Sequence, residues 1–344
     1  MSRSPQAGSD WPGVDLHVVT GKGGTGKSTV AAALALALAS RGRNVLLCEV
    51  EGRQGIAQMF DVPPLPYEER RIATGLPAAQ GERAGTVFAL HIDAESALLE
   101  YLAMYYKLGR AGRALDRFGV IDFATTIAPG VRDVLLTGKV YEAAKPGRKG
   151  GTSSKAGAAY DAIVLDAPPT GRISQFLNVN SELAGLAKVG PIKAQADTVM
   201  TLFRSKRTAV HLVTVLEEMP VQETADGIGE LRQAGLPVGG VVVNLVRPRD
   251  LDDSQLDAIR TGSVDPTTIG ATLAKVGVEA EPELVDALLA EAADHAERRA
   301  LEDGQRTLVA ELGVPTYELP RIASGVDLAG LYELAATLKE QGLA

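Results

Sequence analysis

What this chain lacks narrows it first. It has a single cysteine, Cys48, in 344 residues. That rules out an internal disulfide and a multi-cysteine metal site, zinc included, and makes a reducing compartment the expected setting. Excess positive charge is also missing. The 35 Lys and Arg face 43 Asp and Glu, a formal net charge of −8, which argues against general binding of nucleic acid through its phosphates. No long apolar run occurs: the longest uncharged helical stretch, Ser28 to Ser40, is too short to cross a bilayer, and the opening MSRSPQAGSDWPG has no apolar core of a secretory signal. The expectation is a cytoplasmic protein with no nucleic-acid partner and no stable membrane insertion. What is present suffices for a core, with 45% hydrophobic and 23% charged residues, the balance of a folded chain rather than a disordered one.

Short β-branched runs bounded by turn residues recur at Asp15–Thr20, Asn44–Val50, Thr86–Ile92, Asp161–Leu165, Ala209–Leu216, Val238–Val246 and Val314–Leu319. Most are continuously apolar, as parallel strands covered on both faces must be. Helical spacing lies between them, as in VAAALALALASRG, where Gly42 marks the expected stop. The predicted fold is a doubly wound α/β domain with a mostly parallel sheet. Residues 96–145 and 172–207 are too long for simple crossovers and rich in Leu, Ala, Val and Tyr, so they are expected to gather into a helical cap beside the sheet. A third helical block spans about Leu251–Leu312. Residues 1–14 read as a disordered tail, 15–344 as one domain, and KPGRKGGTSSKAG, 145–157, as a mobile loop. No internal repeat occurs, so a single unit is expected rather than a tandem duplication.

The segment GKGGTGKS, Gly21–Ser28, follows a predicted strand and opens a predicted helix, the context that gives meaning to the pattern Gly, four residues, Gly-Lys-Ser. Gly21, Gly23, Gly24, Thr25 and Gly26 would let the backbone curl so that its N–H groups converge on a β-phosphate, with the helix start adding its positive dipole end. Lys27 would reach the β- and γ-phosphates and the Ser28 hydroxyl would coordinate Mg²⁺, with Thr29 also among the binding residues. In DAIVLDAPPTGRISQFL four apolar residues precede Asp166, a strand-end carboxylate suited to a magnesium-bound water. ATP and Mg²⁺ are the expected ligands.

Lys22, directly after the first glycine, points away from phosphates held by its own loop, so its use depends on a neighbouring subunit. Here the chain resembles the deviant-Walker branch of phosphate-loop ATPases, which includes MinD, ParA, the nitrogenase iron protein and the ArsA/tail-anchored-protein-targeting ATPases. The resemblance implies that Lys22 reaches across a face-to-face dimer to the partner's nucleotide. Val45–Asp61 aligns without gaps to the switch I segment of the ArsA-like members, usually Asp-Pro-Ala-His at its core. It puts Glu51 where their acidic residue orients the attacking water. Glu there replaces Asp, and Gly52, Arg53 and Gln54 replace Pro, Ala and His. APPTG resembles their switch II, Thr-Ala-Pro-Thr-Gly, with Gly171 as its hinge. Asn244, in VVVNLVRP, falls where the family contacts adenine, and Leu245 and Arg247 stand where a guanine site would carry Lys and Asp. Pro320 opens YELPRIASG, which resembles the loop that closes over the base. TIAPGVRDVL and VLEEMPVQET are similar to further ArsA-like segments.

The resemblance also frames the client. One cysteine leaves no cysteine ligands for a metalloid, and no Cys-x-x-Cys clip follows Asn244, so any dimer is held by packing and nucleotide without zinc. Only Met1, Met59, Met104, Met200 and Met219 could serve a methionine-rich groove. Met104 and Met200, beside Tyr101, Tyr105, Tyr106, Leu202 and Phe203, are expected as cap core before client groove. The implied function is an ATP-hydrolysing dimer, of two copies or with a paralogous ATPase, whose nucleotide-driven switch binds or moves a membrane-protein or other apolar client. Three alternatives stay open: a MinD- or ParA-like positioning ATPase, a weakly catalytic nucleotide-sensing scaffold paired with a paralogue, and a small-molecule kinase, which shares the phosphate loop but does not require Lys22.

Overall fold

The computed structural model describes residues 9–40, 42–50, 54–77, 83–106, 129–145, 160–178 and 191–344. In chain order the elements are β1 (Leu16–Gly21), α1 (Lys27–Leu38), β2 (Asn44–Glu49), α2 (Gly55–Met59), β3 (Arg70–Thr74), β4 (Thr86–His91), α3 (Ala94–Tyr106), α4 (Pro129–Ala143), β5 (Ala162–Asp166) and α5 (Thr170–Leu177). Then follow α6 (Pro191–Phe203), β6 (Thr208–Thr214), α7 (Glu218–Gln233), β7 (Val238–Val246), α8 (Asp253–Arg260), α9 (Pro266–Lys275), α10 (Pro282–Glu311), β8 (Thr316–Pro320) and α11 (Leu328–Glu340).

The strands form one sheet in the order β3-β4-β2-β5-β1-β6-β7-β8. Every pairing is parallel except β3 with β4, so the fold is α/β and mostly parallel, as expected. The apolar strands β1, β5 and β6 are buried along their whole length, which is why they read as unbroken runs rather than alternating ones. Strand β3 was not expected. Its sequence, RRIAT, is polar and mostly exposed, because an edge strand has one paired side and little to bury.

Alternate side chains divide between two cores. Val45 and Leu47 of β2, Val87 and Ala89 of β4, and Ala162 and Val164 of β5 pack on the face covered by α1 and α11. Leu46 and Cys48, Leu90, and Ile163 and Leu165 pack on the other, with α4, α5 and α6. Helix α1 is inaccessible from Val30 to Ala37, which explains its apolar circumference: α11 covers the side that faces away from the sheet. Burial pushes the Cys48 thiol pKa up, which makes it a small core hydrophobe rather than a reactive group.

Helices from both expected cap intervals pack together, α3 on α4 and α4 on α6. Tyr101, Met200, Leu202 and Phe203 are buried, while Tyr105, Tyr106 and Met104 lie outside the residues whose side chains are described. Of the expected loop 145–157, all but Lys145 also lies outside them. The third helical block is present as α8, α9 and α10, and α9 buries none of its residues. No described helix is long and apolar enough to cross a membrane.

The expected tail, 1–14, needs correction for residues 9–14; residues 1–8 lie outside the described set. Asp10 N–H donates to the Gly342 carbonyl at 2.7 Å, and Trp11 Nε1 donates to the Tyr317 hydroxyl at 3.1 Å. Tyr317 in turn donates to Asp10 at 2.9 Å. The indole also stands edge-on to the His211 ring, with centroids 5.2 Å apart. A segment with few apolar residues is held here by partners some 300 positions away.

Candidate active site

The phosphate-loop segment lies where the fold places it, between the end of β1 and the start of α1. Gly26 caps α1 at φ 86°, and a Cβ there would lie 2.3 Å from Asn244 Nδ2, so both backbone sign and space require glycine. Gly21 meets β6 as closely: a Cβ would lie 2.2 Å from the Val213 carbonyl oxygen. Thr25 is buried, and its hydroxyl donates to the Lys22 carbonyl at 2.9 Å, closing the turn. Gly23 and Gly24 are exposed.

Helix α1 starts with no side-chain cap and no acid in its first turn. Lys27 makes no ion pair or hydrogen bond among the described residues. Uncapped N–H groups, the dipole end and an unpaired ammonium together suit an anion. One residue on, Ser28 Oγ donates to Asp166 Oδ2 at 2.6 Å. A hydroxyl and a carboxylate are hard oxygen donors, the set that fits magnesium when phosphates and water complete its shell. Thr29 Oγ1 lies 3.7 Å from Met59 Sδ.

The end of β5 is tied to the loop strand as well. Thr20 Oγ1 donates to the Pro168 carbonyl at 2.7 Å, so the turn after Asp166 is pinned to β1. Thr170 and Ile173 of α5 are buried, while a Cβ on Gly171 would meet nothing within 4 Å. At the far side Asn244 is buried, and its Nδ2 donates to the Thr25 carbonyl at 2.9 Å. That donor braces the phosphate loop. Leu245, next in sequence, has φ 59°, a conformation that side chains beyond glycine adopt at a cost and that clusters at functional edges. Pro320 ends β8 beside it, paired in register with Val246.

Lys22 projects from the loop to α7, where its Nζ donates to Glu223 Oε1 at 2.6 Å, each side chain about one-third exposed. Glu51 lies outside the described residues. Two acids absent from the sequence expectation emerge instead. Glu223 falls within VLEEMPVQET, a segment noted only for its likeness. Glu49 ends β2 and is 3% exposed; its Oε1 accepts from Gly55 N–H at 2.8 Å, and its Oε2 lies 3.3 Å from His91 Nδ1. The available signal was a charge closing an apolar strand, NVLLCE.

A cavity of about 200 Å³, lined by Tyr101, Leu135 and Tyr141 as well as by Glu100 and Lys139, opens among helices α3, α4 and α6. Lys139 Nζ donates to both oxygens of Glu100 at 2.6 and 2.7 Å and stands 4.9 Å from the Tyr67 ring centroid. Tyr67 donates to Glu100 at 2.7 Å; burial, then the Glu100 hydrogen bond and charge, raise its pKa. The described part of the cap thus presents ion pairs, with its large apolar side chains turned inward.

Comparison with known proteins adds an independent line. The anion-transporting ATPase (ArsA_ATPase) family profile matches residues 15–205. ATPase BagA of Mycobacterium tuberculosis is 52% identical over 337 residues, 97% of this chain and 96% of that protein. The arsenical pump-driving ATPase of Escherichia coli is 26% identical over 248 residues, 67% of this chain but 39% of that protein. That of Acidiphilium multivorum is 26% identical over 246 residues, 67% of this chain and 39% of the other. The 15–205 match carries both the Gly21–Ser28 loop and Asp166, more than half the chain in all, and the chain therefore belongs to the ArsA-type family of ATP-binding ATPases.

Proposed function

We propose that the chain works as an ATP-driven dimeric switch in which Lys22 of each protomer completes the nucleotide site of the other. The observation that carries this reading is the placement of Lys22: it stands on the phosphate loop, yet its Nζ is held by Glu223 of α7. Its pair with Glu223 is exposed enough to be worth only about 0–1 kcal/mol, little against a desolvated triphosphate. The lysine can therefore exchange one partner for the other.

In this reading the backbone of Gly21–Gly26 and the start of α1 bind the phosphates, and Lys27 holds the β- and γ-oxygens. Ser28 and Asp166 would hold magnesium, which when bound neutralises charge on the phosphate oxygens. Thr29 lies beside them. Asn244 on β7 and Pro320 at the end of the neighbouring strand β8 are proposed to border the base, and Glu51 is proposed to orient the attacking water. Helix α5 shares a core with the cap, Phe176 and Leu177 joining Val140 of α4 and Phe203 of α6, so a shift of α5 has a packed route to the cap. The cargo is proposed as a membrane-protein or other apolar client, since the one cysteine is buried and offers no metalloid ligands. The second protomer is another copy or a paralogue.

Lys22→Ala tests this directly. Nucleotide binding should persist while ATP-dependent association, followed by sedimentation velocity, and phosphate release both collapse. Hydrolysis equal to the parent protein would reject the trans-acting lysine. Affinity capture with and without a non-hydrolysable ATP analogue then asks whether membrane proteins follow the nucleotide state.

A further inference from the structure

After Asn44, strand β2 is apolar until it ends in Glu49, and that residue is 3% exposed. Burying a charge costs several kcal/mol unless it is paired and hydrogen-bonded, and an apolar replacement of similar volume is commonly neutral or better for stability. The Gly55 amide at 2.8 Å and His91 Nδ1 at 3.3 Å hold it without making it a better core residue than leucine.

Its position shows what it faces. Glu49 is the Cα partner of Asp166 on one side and of His91 on the other. Residues two and four before each of these three pack on the α1 face of the sheet, and strand side chains alternate, so Glu49, His91 and Asp166 project side by side on that face at the strand ends. There α1 begins, with Ser28 on Asp166 at 2.6 Å. Adjacent strands lie about 4.8 Å apart, so two carboxylates stand at one corner of the site.

We propose that Glu49 is a second carboxylate of the magnesium site, aimed by His91 and Gly55 at the water shell of the ion beside Asp166. The inference rests on the nucleotide-binding reading and deepens it. An ionised carboxylate offers about four acceptor positions; the Gly55 amide and the His91 contact occupy two, leaving two for metal-bound water. Magnesium keeps several waters and takes few protein ligands directly, so outer carboxylates fix its place. Glu49 is thus a positioning residue, acting on the reacting atoms through water. By its bond to Gly55 it also ties the start of α2 to this corner.

The test separates metal from nucleotide. ATP affinity is measured by calorimetry in EDTA and across a Mg²⁺ titration, with Mn²⁺ bound to the nucleotide complex read by electron paramagnetic resonance. Glu49→Gln should bind metal-free ATP like the parent protein but weaken the Mg²⁺ and Mn²⁺ midpoints by about 10-fold or more, as loss of an outer-shell partner does. His91→Asn should shift them in the same direction by less, and Glu49→Asp should restore part of the loss. Parent-like midpoints and an unaltered Mn²⁺ spectrum in Glu49→Gln would overturn the inference. If that variant does not fold, a parent-like Mn²⁺ midpoint in His91→Asn does so instead. A parent protein whose ATP binding ignores Mg²⁺ would overturn the reading on which the inference rests.

Discussion

Lys27 and Gly26 show how single residues make the loop a binding device. The side chain of Lys27 is half-buried at the start of α1 with no partner among the described residues, a state that suits an anionic ligand. Lys27→Ala removes charge-assisted hydrogen bonds of about 1.5–3 kcal/mol each, so ATP affinity measured by calorimetry should fall at least about 10-fold while the melting temperature changes little. Gly26 is different, because its role is conformational. At φ 86°, with Asn244 Nδ2 where a Cβ would go, alanine must both adopt a strained backbone, at about 1–3 kcal/mol, and displace the side chain that braces Thr25. Gly26→Ala is expected to lose stability and nucleotide affinity together, and an unchanged melting temperature would show that the loop relaxes freely.

At the level of elements, the seam joining β1, β6 and β7 carries a buried histidine pair whose chemistry sets a pH limit. His211 Nδ1 accepts from Gly240 N–H at 3.1 Å, so in the neutral ring Nε2 carries the proton and donates to His17 Nδ1 at 3.0 Å. Burial pulls the His211 pKa down to about 3. His17 is also held well below its ordinary value, by burial first and then by the charges of His211 and Arg43. In the unfolded chain both titrate near about 6.5. Below that pH the unfolded state therefore binds more protons than the folded one, and stability falls as pH drops from about 6.5 toward about 3. Denaturant midpoints between pH 7 and pH 4 should decline, and His17→Gln should flatten part of that slope. Parallel slopes would place the acid sensitivity elsewhere.

For the whole molecule, the proposed working state joins two protomers, and the contact to be broken first is Lys22 with Glu223. Glu223→Ala removes a competitor worth about 0–1 kcal/mol, so ATP-dependent association should tighten by up to about 5-fold in sedimentation velocity; weaker association would mean that Glu223 itself belongs to the dimer contact. The proposed coupling to the cap would run through the core that α5 and α4 share, with Phe176 and Val140 in it. Cores of this kind are close-packed, so a shift at one end is passed on rather than absorbed.

Residue types and their spacing determined by themselves the strand and helix alternation, the loop Gly21–Ser28 and Asp166. Each of these is written in contiguous residues whose period, turn chemistry and charge are local properties. The polar edge strand β3 was illegible because its pairing is supplied by β4 and not by its own side chains. Only the tertiary structure decided that Trp11 finds Tyr317 and that Lys22 finds Glu223. It likewise decided that the acid closing β2 is buried at Asp166's side instead of solvated. Such pairings join positions far apart in the chain, and burial of a charge is a property of the packed neighbours, which no local window of sequence contains.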